Sequence, residues 1–158
     1  MTPDADGAAA AVVMVLVHPG SACGSLDFHH GGQMANEERR ILAQRLRTWN
    51  GPLIVVDSDL SDEIAARPDL HDAIEGALDR GRAQGHHVAR VPCMDEDEDW
   101  VRPSADAVLL SGVTSAIVTG AWYHPEDDGG CVNAVYDELR SRGMAVDVDD
   151  SAISIDVG

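Results

Sequence analysis

One cysteine lies where a thiol could become a nucleophile. Cys131 follows the acidic, glycine-closed stretch PEDDGG and comes just before an amphipathic helical pattern over Val132 to Arg142. At the amino end of a helix, backbone N–H groups and the helix dipole stabilise an anion, which lowers the pKa of a thiol. The same N–H groups can receive the oxyanion that forms when a nucleophile attacks a carbonyl carbon. The position of Cys131 therefore predicts a reactive thiol.

A second group of chemically active side chains lies in the stretch HPGSACGSLDFHH, which begins at His18. Cys23 and two histidines could bind zinc, but their spacing matches no standard zinc site, and adjacent histidines point apart in extended backbone. Neither GxGxxG nor the P-loop pattern is present. We therefore predict a polar loop that lines a pocket or makes a subunit contact, with no metal and no cofactor. The members of this group are His18, Cys23, Asp27, His29 and His30.

Few aromatic residues are available to build a recognition surface, because the chain has three Trp, two Tyr and one Phe. Aromatic side chains near the carboxyl end of a strand commonly wall a pocket or a protein interface. We predict such a role, as a substrate wall or as an oligomer contact, for Phe28, Trp122, Tyr123 and His124.

The elements that must position these residues follow from the apolar pattern. Val12 to Val17 is a continuous apolar run, which is typical of a strand buried on both faces of a parallel sheet. Met34 to Trp49 and Asp59 to Gln84 have apolar residues at helical spacing, the second interrupted before Pro68. The remaining predicted elements are strands at Leu53–Val56, His87–Val91 and Ala116–Val118, the helix at Val132–Arg142, a strand over MAVDVD and a tail strand at Ile153–Val157.

One part of this pattern is ambiguous. The apolar runs Ala107–Leu110 and Ala116–Val118 are separated only by SGVTS, which is too short for a helical crossover between parallel strands. Either the two runs are not parallel neighbours or one of them is not a strand, and no helix is evident before the second. The order of elements still predicts an α/β three-layer sandwich over residues 1–158 as one domain. Its mostly parallel sheet has about five to six strands, flanked by helices, with ligand sites at their carboxyl ends.

Composition limits the partners. The chain has 28 Asp and Glu against 11 Lys and Arg, all of them arginine, for a net charge of −17. Such a field repels nucleic acid and anionic lipid, so we expect neither nucleic acid nor a membrane as partner. The excess of acid also resembles that of halophilic proteins, although a high-GC genome would explain the missing lysine.

Cellular location is predicted from two features. The run AAAAVVMVLV has no basic segment before it and is too short to span a bilayer, so it predicts a buried strand instead of a leader. The three cysteines include no CxxC pair and are odd in number, which indicates neither a disulfide framework nor a zinc ribbon. We therefore expect a cytoplasmic protein.

The carboxyl-terminal part of the chain resembles a known family. The segment AIVTGAWYHPEDDGGCVNAVYDELRSRGMAVDVDDSA is similar to the isochorismatase-like cysteine hydrolases, in which a strand ending in Thr-Gly leads to Cys-Val at the start of a helix. The resemblance implies a parallel sheet of about six strands flanked by helices and, in active members, a cysteine, aspartate and lysine triad. It also implies assembly into a homo-oligomer. The matching positions are Thr119, Gly120, Cys131, Val132, Gly143 and Asp150.

The other triad positions differ here. The family's aspartate ends the first strand, where this chain has His18, and the chain contains no lysine. A longer stretch, AWYHPEDDGG, also separates Gly120 from Cys131.

Three interpretations of Cys131 follow. As an enzyme, the protein would hydrolyse a small amide, ester or vinyl ether through Cys131, activated by the helix start and by an imidazole, His18 or His124. Of the two we take His18 as base or orienting group, with Asp27 as the third group. As an inactive member of the family, it would use the same edge of the sheet to bind a small molecule or to self-assemble. In the third interpretation, Cys131 is a small residue that only packs a helix against the sheet.

Overall fold

Five parallel strands form the sheet, and the first strand lies in its middle. A computed structural model describes residues 12–19, 32–57, 68–92, 99–123, 130–149 and 154–155. The strand order is β3-β2-β1-β4-β5, and a short β6 pairs with β4 outside this path. All the pairings are parallel. The strands are β1 (Val13–Val17), β2 (Leu53–Val56), β3 (Val88–Val91), β4 (Ser115–Tyr123), β5 (Ala145–Val148) and β6 (Ser154–Ile155).

Helices connect the strands and cover both faces of the sheet, as a parallel arrangement requires. Four helices lie within the described residues, namely α1 (Gly32–Thr48), α2 (Pro68–Ala83), α3 (Val101–Leu109) and α4 (Cys131–Ser141). The predicted three-layer α/β sandwich is confirmed. None of these helices is both long enough and apolar enough to cross a bilayer.

The alternation of side chains along β1 defines the two apolar cores. Met14 and Leu16 pack with α1 and α2 on one face, whereas Val13, Val15 and Val17 pack with α3 and α4 on the other. All five residues are at most 2% exposed, which explains why β1 is a continuous apolar run and not an alternating one. We call these two sides the α1/α2 face and the α3/α4 face.

Of the two apolar runs that the sequence left ambiguous, the first belongs to a helix. Ala107–Leu110 is not a strand: it forms the end of α3 and the turn that follows, and Ala105 and Val108 of this helix are fully buried. The helix expected before β4 is therefore present. β4 also extends to Tyr123, well beyond the predicted Val118, because β6 supplies it with a further parallel neighbour at Ala121 and Tyr123.

The central pair of strands approaches very closely at one point. Val17 of β1 pairs with Gly120 of β4, and Gly120 has a φ of +117°. A Cβ atom at this glycine would lie 2.0 Å from the carbonyl oxygen of Val17, a distance that no real contact allows. Only glycine fits here, both in its backbone conformation and in the space that remains.

We predict that Gly120→Ala lowers the free energy of unfolding by more than about 3 kcal/mol, because the strands must separate and the backbone is strained. The matched control is Gly143→Ala, at a φ of +89° with no atom within 4 Å of the added methyl group. This control should cost only about 1 kcal/mol, for conformation alone. Urea denaturation followed by circular dichroism measures both. Equal losses in the two variants would contradict the close approach of β1 and β4.

Candidate functional site

The carboxyl edge of the sheet holds a buried histidine in an unusual conformation. His18 directly follows β1, is 6% exposed and has a φ of +47°. A positive φ is uncommon for residues other than glycine, and strained conformations of this kind are often found at functional sites. The backbone N–H of His18 donates a hydrogen bond to the carbonyl oxygen of Val56, 2.9 Å away, so the end of β1 is tied to β2.

An indole packs against the imidazole of His18. The ring centroids of His18 and Trp100 are 4.6 Å apart and the ring planes are inclined by 55°. Trp100 precedes α3 and belongs to the apolar core of the α3/α4 face. The imidazole is therefore held on that face, between the end of β1 and the start of α3.

The Thr-Gly pair of β4, at the level where β1 ends, fixes the neighbouring part of this edge. Thr119 is 1% exposed, and its hydroxyl donates a hydrogen bond of 3.2 Å to the carbonyl oxygen of Asp149, beyond β5. The Asp149 carboxylate in turn accepts a hydrogen bond of 2.8 Å from Arg45 of α1. These contacts tie β4 to the residue that follows β5, and that residue to a helix on the α1/α2 face.

Cys131 is the first residue of α4. Gly130 before it is buried and extended, at φ −86° and ψ 157°, and as a glycine it provides no side-chain cap of its own. The carbonyl of Gly130 already accepts the helical hydrogen bond from Ala134, at 3.0 Å. The first N–H groups of any helix have no partner within it, so this end of α4 carries a partial positive charge next to the thiol. Cys131 is half-buried and packs against the core of the α3/α4 face.

Two of the three predicted catalytic residues are thus on the same face of the sheet, at the same edge. His18 follows β1, and Cys131 begins the helix that comes after the adjacent strand β4. Asp27, Phe28 and His124 lie outside the described residues.

The two predicted aromatic residues Trp122 and Tyr123 belong to β4 and do not follow it. The stretch between the end of β4 and Cys131 is accordingly shorter than the sequence alone indicated.

An ion-pair network at the same edge was not predicted. Asp57 follows β2 and accepts a hydrogen bond of 2.8 Å from Arg90 of β3, which also pairs with Glu75 of α2. Because Glu75 lies on α2, this network lies on the α1/α2 face, opposite the ring of His18. Burial raises the pKa of the Asp57 carboxyl above its ordinary value, and the opposing effect of Arg90 is smaller.

A metal centre has no support within the part of the chain that the structure describes. No three His, Cys, Asp or Glu residues there are arranged to hold an ion. Of the group in which zinc was considered, Cys23, His29 and His30 lie outside that part.

Comparisons with known proteins give similarities of structure only. No protein-family model and no curated protein matches the chain. Among solved structures, it is similar to MAR1 ribonuclease from Caenorhabditis elegans, with a TM-score of 0.49 and 13% identity, over 93% of this chain and 66% of that one. It is also similar to the hypothetical protein PH0823, with a TM-score of 0.39 and 13% identity, over 93% of this chain and 97% of that one. Similarities at this level carry no inference about activity.

The raised pKa of Asp57 predicts a pH dependence of stability. The folded protein binds the proton of the Asp57 carboxyl more tightly than the unfolded chain does. The contribution of Asp57 to the free energy of unfolding is therefore greatest below the pKa that this carboxyl has in the unfolded chain. It is lost as the pH rises through the folded pKa. The variant Asp57→Asn should therefore gain stability relative to the wild type between about pH 3 and pH 7.

Urea denaturation across this range measures the difference. Asp137→Asn is the control for the loss of one negative charge, since Asp137 is exposed on α4 and makes no ion pair with the residues that the structure describes. A relative stability of Asp57→Asn that falls with rising pH, after subtraction of this control, would contradict the raised pKa.

Proposed function

We propose that the protein is a divergent isochorismatase-like hydrolase that cleaves a small amide, ester or vinyl ether with Cys131 as its nucleophile. The observation that carries this proposal is the location of His18 and Cys131 on one face, at the carboxyl edge of adjacent strands. The resemblance of the segment around Cys131 to that family supports it. So does the position of the thiol at the first residue of a helix.

For an amide or ester, the chemistry would proceed in two stages. The sulfur of Cys131 attacks the carbonyl carbon while its proton passes to the imidazole of His18. The oxygen that becomes negative is stabilised by the N–H groups at the start of α4. The bond to the leaving nitrogen or oxygen then breaks, and the imidazolium returns its proton to that atom, which leaves a thioester on Cys131.

The second stage restores the enzyme. His18 removes a proton from water, the resulting hydroxide attacks the thioester, and the carbon–sulfur bond breaks to release a carboxylic acid. The sulfur takes back the proton from the imidazolium. No metal, redox cofactor or lysine takes part in this route, and Asp27 could orient His18 as a third member.

An inactive binding or self-assembly module is the second candidate. The observation that favours it is the composition: the chain has no lysine, and a histidine stands where active members of the family have an aspartate. In that case the carboxyl edge would bind a small molecule or a further copy of the chain without turnover. Trp122 would then contribute to a homo-oligomer contact.

The first prediction concerns the nucleophile. A screen of small amides and aryl esters should give turnover that Cys131→Ala and Cys131→Ser each lower by at least about 10³-fold, because the proposed acyl intermediate forms on the sulfur of Cys131. Cys93→Ala is the control and should retain full rate. Turnover that survives both substitutions at Cys131 would exclude this nucleophile. Absence of turnover, together with an oligomer that Trp122→Ala dissociates and Cys131→Ala leaves intact, would favour the inactive module.

The second prediction tests whether His18 acts as a general base or serves only to adopt the strained backbone conformation at its position. Asparagine tolerates a positive φ but cannot accept the thiol proton, so His18→Asn should fold and should lose about 10² to 10⁴-fold in kcat. The pH–rate profile should also lose its lower limb, because protonation of the His18 imidazole is what slows the reaction at low pH. A His18→Asn enzyme with an unchanged pH–rate profile would assign His18 a structural role only.

A further inference from the structure

A cavity of about 520 Å³ lies at the edge of the sheet opposite to Cys131. It is formed where β1, β2 and β3 begin and where the chain leaves the carboxyl ends of α1, α2 and α3. Its volume is within the range of small-molecule sites, which are mostly apolar with a few polar groups. The lining residues are Val12, Trp49, Asn50, Gly51, Pro52, Gly85, His86, His87, Ser111, Val113 and Ile117.

The lining is unusually free of charge for this chain. A quarter of all residues are Asp, Glu, Lys or Arg, yet none of the residues that line the cavity is one of these. Trp49 supplies an aromatic wall that is held in place, because its indole N–H donates a hydrogen bond of 2.9 Å to the carbonyl oxygen of Pro52. Val113 and Ile117 supply aliphatic surface on the side of β4. The cavity therefore suits a ligand with an apolar ring.

The potential at this edge favours a cationic ligand. The carboxyl end of a helix carries a partial negative charge, and three helices end here. Arg80 compensates one of them, since its guanidinium donates to the carbonyl oxygens of Leu46 and Trp49 at the end of α1. Arg82 lies in the last turn of α2 but pairs with Asp79. The last turn of α3 has no basic residue, and the neutral hydroxyl of Ser111 donates a hydrogen bond to the carbonyl oxygen of Val108 there. The net charge of −17 adds to the same preference.

One polar atom in the cavity wall lacks a partner. The Nε2 atom of His87 is buried and makes no hydrogen bond within the described part of the chain. The backbone of this residue is fixed, because its carbonyl oxygen accepts a hydrogen bond of 3.1 Å from Leu53. A buried nitrogen without a partner costs free energy, and a ligand that donates a hydrogen bond to it would remove that cost. His87 lines the cavity, so its imidazole is adjacent to a ligand bound there.

We propose that this cavity binds a small aromatic amine, with its one- or two-ring body against Trp49 and Val113 and its ammonium group near His87 and the carboxyl ends of α2 and α3. The site is independent of Cys131 and does not require the proposed hydrolase activity.

Isothermal titration calorimetry with three probes tests the proposal. 1-Naphthylmethylamine should bind with a Kd below about 1 mM. 1-Naphthylacetate, which has the same ring system and a negative charge, should bind at least about tenfold more weakly, and methylammonium, which has no ring, should not bind. Equal affinity for the amine and the carboxylate, or binding of methylammonium as tight as that of the amine, would overturn the proposal. So would the absence of binding by all three.

Two variants test whether the ligand binds in this cavity. Val113→Trp fills the cavity and should abolish binding, and His87→Phe keeps a ring but removes the nitrogen, so it should weaken binding about fivefold to tenfold. Cys131→Ala, at the opposite edge, should leave the affinity unchanged. Since Val113→Trp could perturb folding, the indole N–H resonance of Trp49 in the wild-type protein is a second readout. It should shift on titration with the amine, whereas shifts confined to Trp100 would overturn the assignment of the site.

Discussion

The close contact between β1 and β4 is the constraint on which the rest of the structure depends. Val17 and Gly120 are paired at the end of β1, and the glycine allows the two backbones to meet where a side chain could not fit. Beyond this pair the two strands differ. The chain leaves β1 at His18, whereas β4 continues to Tyr123 and pairs with β6. The edge that holds His18 and the helix that begins with Cys131 both take their positions from this register.

The residues that could be predicted from the sequence are those whose burial leaves a local pattern. β1 was evident because it is buried on both faces, and the helix at Cys131 because its apolar stripe of Val132, Val135 and Leu139 is buried against the sheet. The end of α3 was not, because a nine-residue helix has too few turns for its period to be distinguished from a short apolar run. The length of β4 was missed because its outer part is paired by β6, a partner far along the chain.

Contacts between residues that are far apart along the chain leave no recognisable pattern in the local sequence. Arg90 meets Asp57 because β2 and β3 are paired with Val55 opposite Arg90, and this register brings the cation beside the residue that follows β2. The position of Trp100 against His18 likewise depends on how α3 packs on the sheet. The cavity at the amino edge, which no Asp, Glu, Lys or Arg lines, combines residues from five separate parts of the chain. Sequence reasoning placed the candidate thiol and histidine but could not supply their surroundings.

The reactivity of the Cys131 thiol is the most direct test of the proposed site. The rate of alkylation by iodoacetamide should be measured for Cys23, Cys93 and Cys131 against pH, in molar salt, by peptide mass spectrometry. If the start of α4 and His18 stabilise a thiolate, Cys131 reacts at least about tenfold faster than the other two, and its rate reaches half of its maximum well below the pH of about 8.5 that is ordinary for a thiol. A Cys131 that is inert, or whose rate rises only near that ordinary pH, would contradict the nucleophile and leave the thiol with a packing role.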